Sequence, residues 1–527
     1  MSFEVIIVGS GPAGVSAALE LRDRNILILD VGFRAPKLPY ELKQNLYDLK
    51  KNTADLSPVL LGEKFESLDN LVSPFISPKL KGPFLKFVTR DWRQLSPINS
   101  SDFEGLLSFA EGGLSNAWGS GVYRYNDREL KDFPIKAIDL NPFYDRLTSE
   151  IGISGCDDEL TPFFGSTQGL LPPIELDRLS SDLFTRYSRK KRLISQEGIY
   201  IGKPRVALLT EALGERQPYD YHGLEFFKPN DPAIYNASYT LRKLEKQPNI
   251  TYRSGFLVQR YEETSEGVKV SARNINTNIT EEFFARKLVL AAGTISTSKI
   301  VLSSHNDYST RLPLLDNAIA FIPLVAPRFI GASQEKRFFS GVQLNVVYSK
   351  DEVDAPIQGS FYGPAGILRS DLLMDFPLSL KGNLTAVKYV TPALGVLQLF
   401  YPDAANANNY LKLSSNGDLE IRYQRKAFGA IEKHFISTFR QLSFFSLPAL
   451  CKYPAPGNSY HYAGSLPMKT QPQTRYEASV NGLLFGTKHV YVVDAANFPL
   501  LPSKNHTFTI MANSMRIAHH LRRELES

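Results

Sequence analysis

The sequence predicts an α/β protein of two domains, a largely parallel, doubly wound sheet interrupted by an inserted domain on a mostly antiparallel sheet. Three observations predict it. A run of buried strand, glycine turn, helix and strand opens the chain; strand patterns with a hairpin turn fill its middle; a buried strand and an amphipathic helix close it. At 527 residues the chain also exceeds what one hydrophobic core usually holds.

Taken in order, residues 3–30 read FEVIIVG, SGPAG, VSAALELRD and ILILD, a βαβ start with the continuous apolar strands of a parallel sheet. Residues 33–100 carry prolines at 36, 39, 58, 74, 78, 83 and 97 and read as a long excursion with little regular structure. ITYR, GFLVQRYEE, VKVSARN and KLVLAAG, between residues 250 and 293, read as an antiparallel meander returning to the sheet. Residues 342–346 alternate with period two, residues 392–401 read as a strand, and Asn416-Gly417 marks a hairpin between YLKL and LEIRY. Together these place a mostly antiparallel sheet within residues 306–454.

Composition narrows the function. The 43% apolar and 22% charged content is that of a globular protein, and the net charge of +6 is spread without a basic block, which argues against nucleic acid. Cys156 and Cys451 stand outside any CxxC or CxxH setting, so neither a disulfide framework nor a zinc site is expected, and no other metal site stands out. A strand beginning at residue 3 leaves no room for a signal peptide ahead of it. The nearest approach to a membrane span, AIAFIPLV at 318–325, is far short of the roughly 18 residues required. The expectation is a cytoplasmic protein with no transmembrane segment.

Gly9-Ser10-Gly11-Pro12-Ala13-Gly14 follows a strand and opens a helix, and Asp30 ends the next strand. The glycines allow a tight turn and bring a pyrophosphate against helix N-terminal amides, while the acid can accept from ribose hydroxyls. This predicts a Rossmann-like dinucleotide site and leaves NAD and FAD both open; a βα turn without ligand is the plain structural reading. Gly112-Gly113-Leu114-Ser115-Asn116-Ala117-Trp118-Gly119-Ser120-Gly121 is a second glycine-rich run, along which backbone can pass a large flat ligand or form a surface loop. Ala292-Gly293 ends a buried strand ahead of a helix that Ser296 or Thr297 could cap, and Asp494-Ala495 ends another, where ligands of open α/β sheets collect.

His461, flanked by Asn458, Ser459, Tyr460 and Tyr462, admits both a structural and a catalytic reading. Asn505 and His506 stand just before the last helix, where Asn505 is also a plausible N-cap. His519 and His520, on that helix with basic neighbours, read as solvated.

These motifs, in this order, resemble the glucose–methanol–choline (GMC) oxidoreductases, FAD-dependent enzymes that oxidise alcohols. The resemblance is strong at residues 3–30, 105–122, 285–302 and 457–520 and weak at 151–235 and 306–454. It implies the two-domain architecture shared by GMC and p-hydroxybenzoate-hydroxylase-like proteins, with FAD bound by residues 1–150, 236–305 and 462–527, and substrate by 151–235 and 306–461. By resemblance Gly9, Gly11, Pro12, Ala13, Gly14 and Asp30 hold the ADP part, and Val258 faces the adenine. Gly112, Gly113, Ser115, Asn116, Ala117, Trp118 and Gly119 lie along the flavin ring. Ala292, Gly293, Asp494, Ala495, Asn505 and Thr507 complete the cofactor site. His461 matches the base that removes the substrate hydroxyl proton, and the second catalytic position is Asn505 or His506, with Asn505 preferred on its spacing to Thr509. Ala117 stands where some members carry the histidine that tethers FAD, so non-covalent FAD is implied, and the familiar His-Pro is His461-Tyr462 here. The chain looks closer to the pyranose oxidase and bacterial sugar-oxidising branch.

The implied reaction oxidises a small-molecule CH–OH donor to a carbonyl, with oxygen or another acceptor reoxidising the flavin. The polar flanks of His461 point to a sugar, glycoside or polyol, while SFFSL from residue 443 reads either as the lining of an apolar pocket or as core. A redox-silent FAD lyase, a non-enzymatic FAD-fold binding protein and an NAD-linked dehydrogenase stand as the alternatives.

Overall fold

A computed structural model describes residues 3–38, 44–67, 77–350, 355–366, 378–424 and 426–526. Pro39 and Pro74 of the proline-rich excursion lie outside the described residues. The strands that build the two main sheets are, in chain order, β1 (Phe3–Val8), β2 (Ile26–Leu29), β3 (Ile199–Gly202), β4 (Ile250–Arg253), β5 (Phe256–Glu263) and β6 (Val268–Asn274). They continue with β7 (Thr280–Leu290), β8 (Ile319–Val325), β9 (Leu344–Tyr348), β10 (Ile357–Tyr362), β11 (Leu394–Phe400) and β12 (Val490–Val492). The helices that cover them are α1 (Pro12–Glu20), α2 (Ala137–Ile151), α3 (Arg178–Gln196), α4 (Ala237–Leu244), α5 (Thr294–Ser304), α6 (Ala430–Gln441) and α7 (Thr507–Glu526).

The first sheet runs β4-β2-β1-β7-β6-β5, with β12 paired to β7. β1 lies parallel to β2 and β7 (Val5 opposite Ile26 and Lys287), and β12 lies parallel to the end of β7 (Val490 opposite Leu288). ITYR differs from expectation. As β4 it pairs parallel with β2, Ile250 opposite Ile26, and only β5, β6 and β7 form the antiparallel meander. The preceding α4 makes this possible, because its Ala237, Leu241 and Leu244 pack with Ile250 against α1 and provide the crossover that a parallel pair needs. The strands are apolar throughout because both faces are covered: α1, α4 and α7 bury Val5, Ile7 and Ile28, while Ile6, Leu27 and Leu29 enter a second core.

The second sheet is antiparallel in the order β8-β11-β10-β9-β3. Its period-two pattern divides it cleanly. Ala320, Ile322, Leu324, Leu397 and Leu399 pack with Leu183 and Tyr187 of α3 and Phe435 and Phe439 of α6. Phe321, Pro323, Val325, Leu394, Val396, Gln398 and Phe400 point the other way and line a cavity. Among the described residues β8 is an edge, joined outward at two points: the Phe321 N–H donates to Lys452 O (2.9 Å) and the Val325 N–H to Phe445 O (2.8 Å). Pro323 between them has no N–H to donate.

The hairpin at Asn416-Gly417 forms, but outside this sheet. Its strands Tyr410–Leu413 and Leu419–Arg422 join Leu312–Pro313 and Ile98–Asn99 in a separate four-stranded sheet. Leu411, Leu413, Leu419 and Ile421 then share a core with β5, β6 and α5, so the hairpin's apolar face is covered from the first sheet's side. The 33–100 excursion is also more regular than expected, with short helices at Leu46–Asn52, Ser57–Leu60, Pro78–Lys81 and Trp92–Leu95 and a 3₁₀ stretch at Pro83–Thr89. Among the described residues no helix is long and apolar enough to cross a membrane.

Candidate active site

One cavity of about 1810 Å³ runs from the glycine turn after β1 to the open face of the second sheet. A drug-sized ligand needs only about 300–1,000 Å³, so this space suits a dinucleotide with a second molecule beside it.

At the first end, Gly9 has φ +99°, and a Cβ there would stand 2.6 Å from Ala291 O. A Cβ on Gly14 would stand 1.9 Å from Gly9 O, so α1 can leave the strand this tightly only with glycine at both places. Gly11 is the opposite case. It caps α1 without a side-chain bond and has nothing within 4 Å of its would-be Cβ, so the helix amides face open cavity. Asp30 accepts from the Ser10 hydroxyl, and burial pushes its carboxyl up to about 7 against that bond. Val258 lines the cavity beside a register shift between Val258 and Arg260, a bulge that turns backbone toward the site. A ligand with a pyrophosphate and a ribose diol fits this end, with an anion for the amides and further donors for Asp30 beside Ser10 and Tyr252.

The second glycine run forms a 3₁₀ turn at Gly113–Asn116, built on left-handed backbone at Gly112 (φ +84°). Gly113, Ser115, Ala117, Trp118 and Gly119 line the cavity, as do Pro12 and Ala13; Gly14, Gly112 and Asn116 lie behind its wall. Ser115 and Asn116 act within the protein. The Ser115 hydroxyl donates to Gly112 O (2.6 Å) and accepts from the Ala237 N–H (2.9 Å), and the Asn116 amide donates to Glu111 O and Gly113 O.

Ala292, Gly293, Asp494, Ala495 and Thr507 meet at the same cavity. Neither Ser296 nor Thr297 caps α5; the helix starts at Thr294 with Gly293 at its cap, leaving both hydroxyls inside the helix. The Thr297 hydroxyl instead donates to Asp494 (2.5 Å), whose carboxylate also accepts from the N–H groups of Gly293 and Ala496 (2.9 Å each). Asp494 therefore clamps the end of β7 to the end of β12, and burial pushes its carboxyl up to about 6.

His461 stands where the two sheets meet. Its Nδ1 lies 3.0 Å from Asn317 Oδ1, while the Asn317 amide donates to Tyr401 O (2.8 Å) and Pro502 O (3.0 Å). With both donors spent on carbonyls, Asn317 can only accept from His461, which puts the ring proton on Nδ1 and leaves Nε2 as the free base. Phe400 stacks on the imidazole (centroids 5.1 Å, 21° apart) and the His506 ring lies 4.7 Å away. Burial, and then the neighbouring His506, hold His461 well below the ordinary histidine value, and burial brings His506 down to about 4. Both rings are neutral at physiological pH.

Asn505 and His506 both line the cavity, and the ring contact with His461 belongs to His506. Asn505 does not cap α7, which begins at Thr507, one residue beyond His506. Asn505 Oδ1 and His506 Nδ1 are buried without a hydrogen-bond partner in the protein. The segment is anchored by Lys504, whose ammonium reaches Glu129 (2.5 Å), Arg124 O (3.0 Å) and Phe163 O (2.5 Å), with Lys504 and Glu129 both 1% exposed. His519 and His520 are paired, not simply solvated: Nδ1 of His519 lies 2.8 Å from Glu20 and Nε2 of His520 lies 2.9 Å from Glu524.

The polar neighbours of His461 line the cavity, but their side chains bond within the protein. Ser459 donates to Asp316, Asn458 to Glu104 (3.0 Å) and Ala455 O (3.1 Å), and Tyr462 to Gly457 O (2.6 Å). The Tyr460 hydroxyl accepts from the Ser77 N–H (3.3 Å). Sequence reasoning missed Asn317 and Phe400, for neither belongs to a motif; only the β8 and β11 patterns pointed to their neighbourhood.

Residues 446–514, which carry His461, Asp494, Asn505 and His506, match the family model described as GMC oxidoreductase. No curated protein matches the chain by sequence. Among solved structures the fold is similar to that of pyridoxine 4-oxidase from Mesorbium loti, with a TM-score of 0.58, 14% identity and 99% of each chain covered. The chain thus has the mixed α/β, two-domain fold of a GMC oxidoreductase, and its resemblance to that family extends from the C-terminal motifs to the whole architecture.

Proposed function

We propose that the chain is an FAD-dependent oxidoreductase that converts a CH–OH group to a carbonyl, with His461 as the base. The observation that carries this reading is the tautomer set by Asn317, which leaves His461 Nε2 unprotonated beside the cavity. The glycine turn, the uncapped amides of α1 and Asp30 fit FAD at one end, and the turn from Gly113 to Gly119 fits its ring system. FAD, when bound, supplies the two-electron acceptor for the hydrogen on carbon. Ala117 offers no side chain for a covalent link, so the flavin is held non-covalently.

The protein's own residues do the rest. His461 accepts the hydroxyl proton at Nε2, while Asn317 holds Nδ1–H and Phe400 fixes the ring plane. His506 and Asn505, both lining the cavity, carry unpartnered buried atoms, and the ring contact with His461 favours His506 as the group that holds the substrate oxygen. Two neutral imidazoles suit the task, since a charged His506 would oppose proton uptake by His461.

Anaerobic mixing with an alcohol panel tests the reading through bleaching of the flavin band. His461→Ala is expected to keep FAD and to slow bleaching by about 10²–10⁴-fold, the usual share of a positioned base. A wild-type rate in that variant, or flavin that stays on precipitated protein after denaturation, contradicts the base or the non-covalent site respectively.

A further inference from the structure

Resting on that flavin reading, we infer that the alcohol is an elongated apolar molecule, a hydrocarbon skeleton with a single hydroxyl at its end, and not a sugar or polyol. The wall beyond His461 is the open face of β8 and β11. Pairing sets its side chains in successive rows: Phe400 at the histidine, then Gln398 with Phe321, Val396 with Pro323, and Leu394 with Val325. Six residues of strand separate Phe400 from Leu394, about 20 Å at roughly 3.3 Å per residue. Gln398 is the polar member of these rows.

The outer end continues the same chemistry. Val390 and Leu450 line the cavity there, and the segment pinned to β8 through Phe445 exposes Phe445 (43%), Leu447 (60%) and Leu450 (50%) to solvent. A hydrocarbon chain entering here would cover apolar surface along its whole length, at about 0.8 kcal/mol per buried CH₂. A polyol in the same place would find polar side chains at Gln398 and at Tyr362, opposite Val396, and would otherwise set its hydroxyls against Phe, Pro, Val and Leu, a loss of the kind that polar sites impose on apolar analogues, reversed. The polar residues around His461 line the cavity too, but most of their bonding is spent within the protein: Asn458, Ser459 and Tyr462 donate to protein groups, and the Tyr460 hydroxyl accepts from the Ser77 N–H.

The experiment is anaerobic reduction of the FAD-loaded protein by 1-octanol, 1-propanol, sorbitol and glucose, read as second-order rate constants. 1-Octanol should exceed 1-propanol by about 10²-fold or more, and both polyhydroxy compounds should be slower than 1-octanol. In Val325→Asp and Val396→Asp, made separately and checked for bound flavin, the octanol-to-propanol ratio should fall at least tenfold. Fastest reduction by sorbitol or glucose, a ratio near one in the parent protein, or an unchanged ratio in both folded variants overturns the inference and leaves the alcohol-oxidising reading standing. Absence of bleaching by every alcohol, these four included, overturns that underlying reading instead.

Discussion

Asn317 touches His461 through a single hydrogen bond, 144 residues away in sequence, and on the proposed reading it acts on the reaction only through that bond. Asn317→Ala should leave FAD content unchanged and slow flavin reduction by up to about 10²-fold, because a loosened ring loses both its tautomer and its aim. Asn505→Ala and His506→Ala, measured in parallel, should show the larger loss for His506; equal loss, or loss at Asn505 alone, would move the role to the amide. The pH profile follows from burial. His461 works deprotonated and its value is depressed, so the rate should be flat from neutral pH down through 6.5 and fall only as acid reaches the buried rings. An inflection at or above 6.5 in the kcat/KM profile would contradict that environment. Asp30 predicts a loss toward acid that sets in at higher pH, in binding rather than rate. Its carboxyl sits near 7 without a ribose, and ribose donors favour the ionised form, so FAD binding releases a proton. Calorimetric titration of the apoprotein should show affinity rising by up to about tenfold per pH unit toward pH 7 and levelling above it, with Asp30→Asn removing the slope.

At the scale of elements, what could be read from the sequence was what is local. The βαβ start, Asp30 at the end of β2, the β12 strand and α7 announce themselves within thirty residues each, through apolar runs and glycine spacing. ITYR and the 410–422 hairpin were harder, since a short apolar strand carries no mark of the neighbour it will join. β4 is parallel because α4 precedes it, and the hairpin leaves the antiparallel sheet because α5 and β5 offer it a cover. The Lys504–Glu129 pair belongs to this scale too, because it anchors the end of the segment that leads from β12 into α7. Removing one member leaves a buried charge alone, so Lys504→Met should cost about 3–5 kcal/mol in denaturant unfolding. The double change Lys504→Met with Glu129→Leu should recover much of that loss; a fully additive result would mean that the pair is not coupled.

Across the whole molecule, the site arises because two sheets of different origin meet at His461. The first carries the nucleotide geometry that its motifs foretell. The second carries the wall whose chemistry no motif records, and the polar residues beside His461 line the same cavity while bonding to Asp316, Glu104 and backbone groups of the protein. Only the pairing of β8 with β11, about seventy to eighty residues apart, shows which side chains share this wall of the cavity.

Pro323 has a consequence for how such a wall could change. Three residues of β8 lie between its two outward bonds, but six lie between the matching points at Phe445 and Lys452. The surplus bows outward as a short arc around Pro448–Leu450, with both feet fixed and no ladder to obey in between. An arc of this kind can be lengthened, shortened or rewritten while the sheet behind it keeps its register. Selection could therefore retune what enters the cavity without revisiting the residues that do the chemistry.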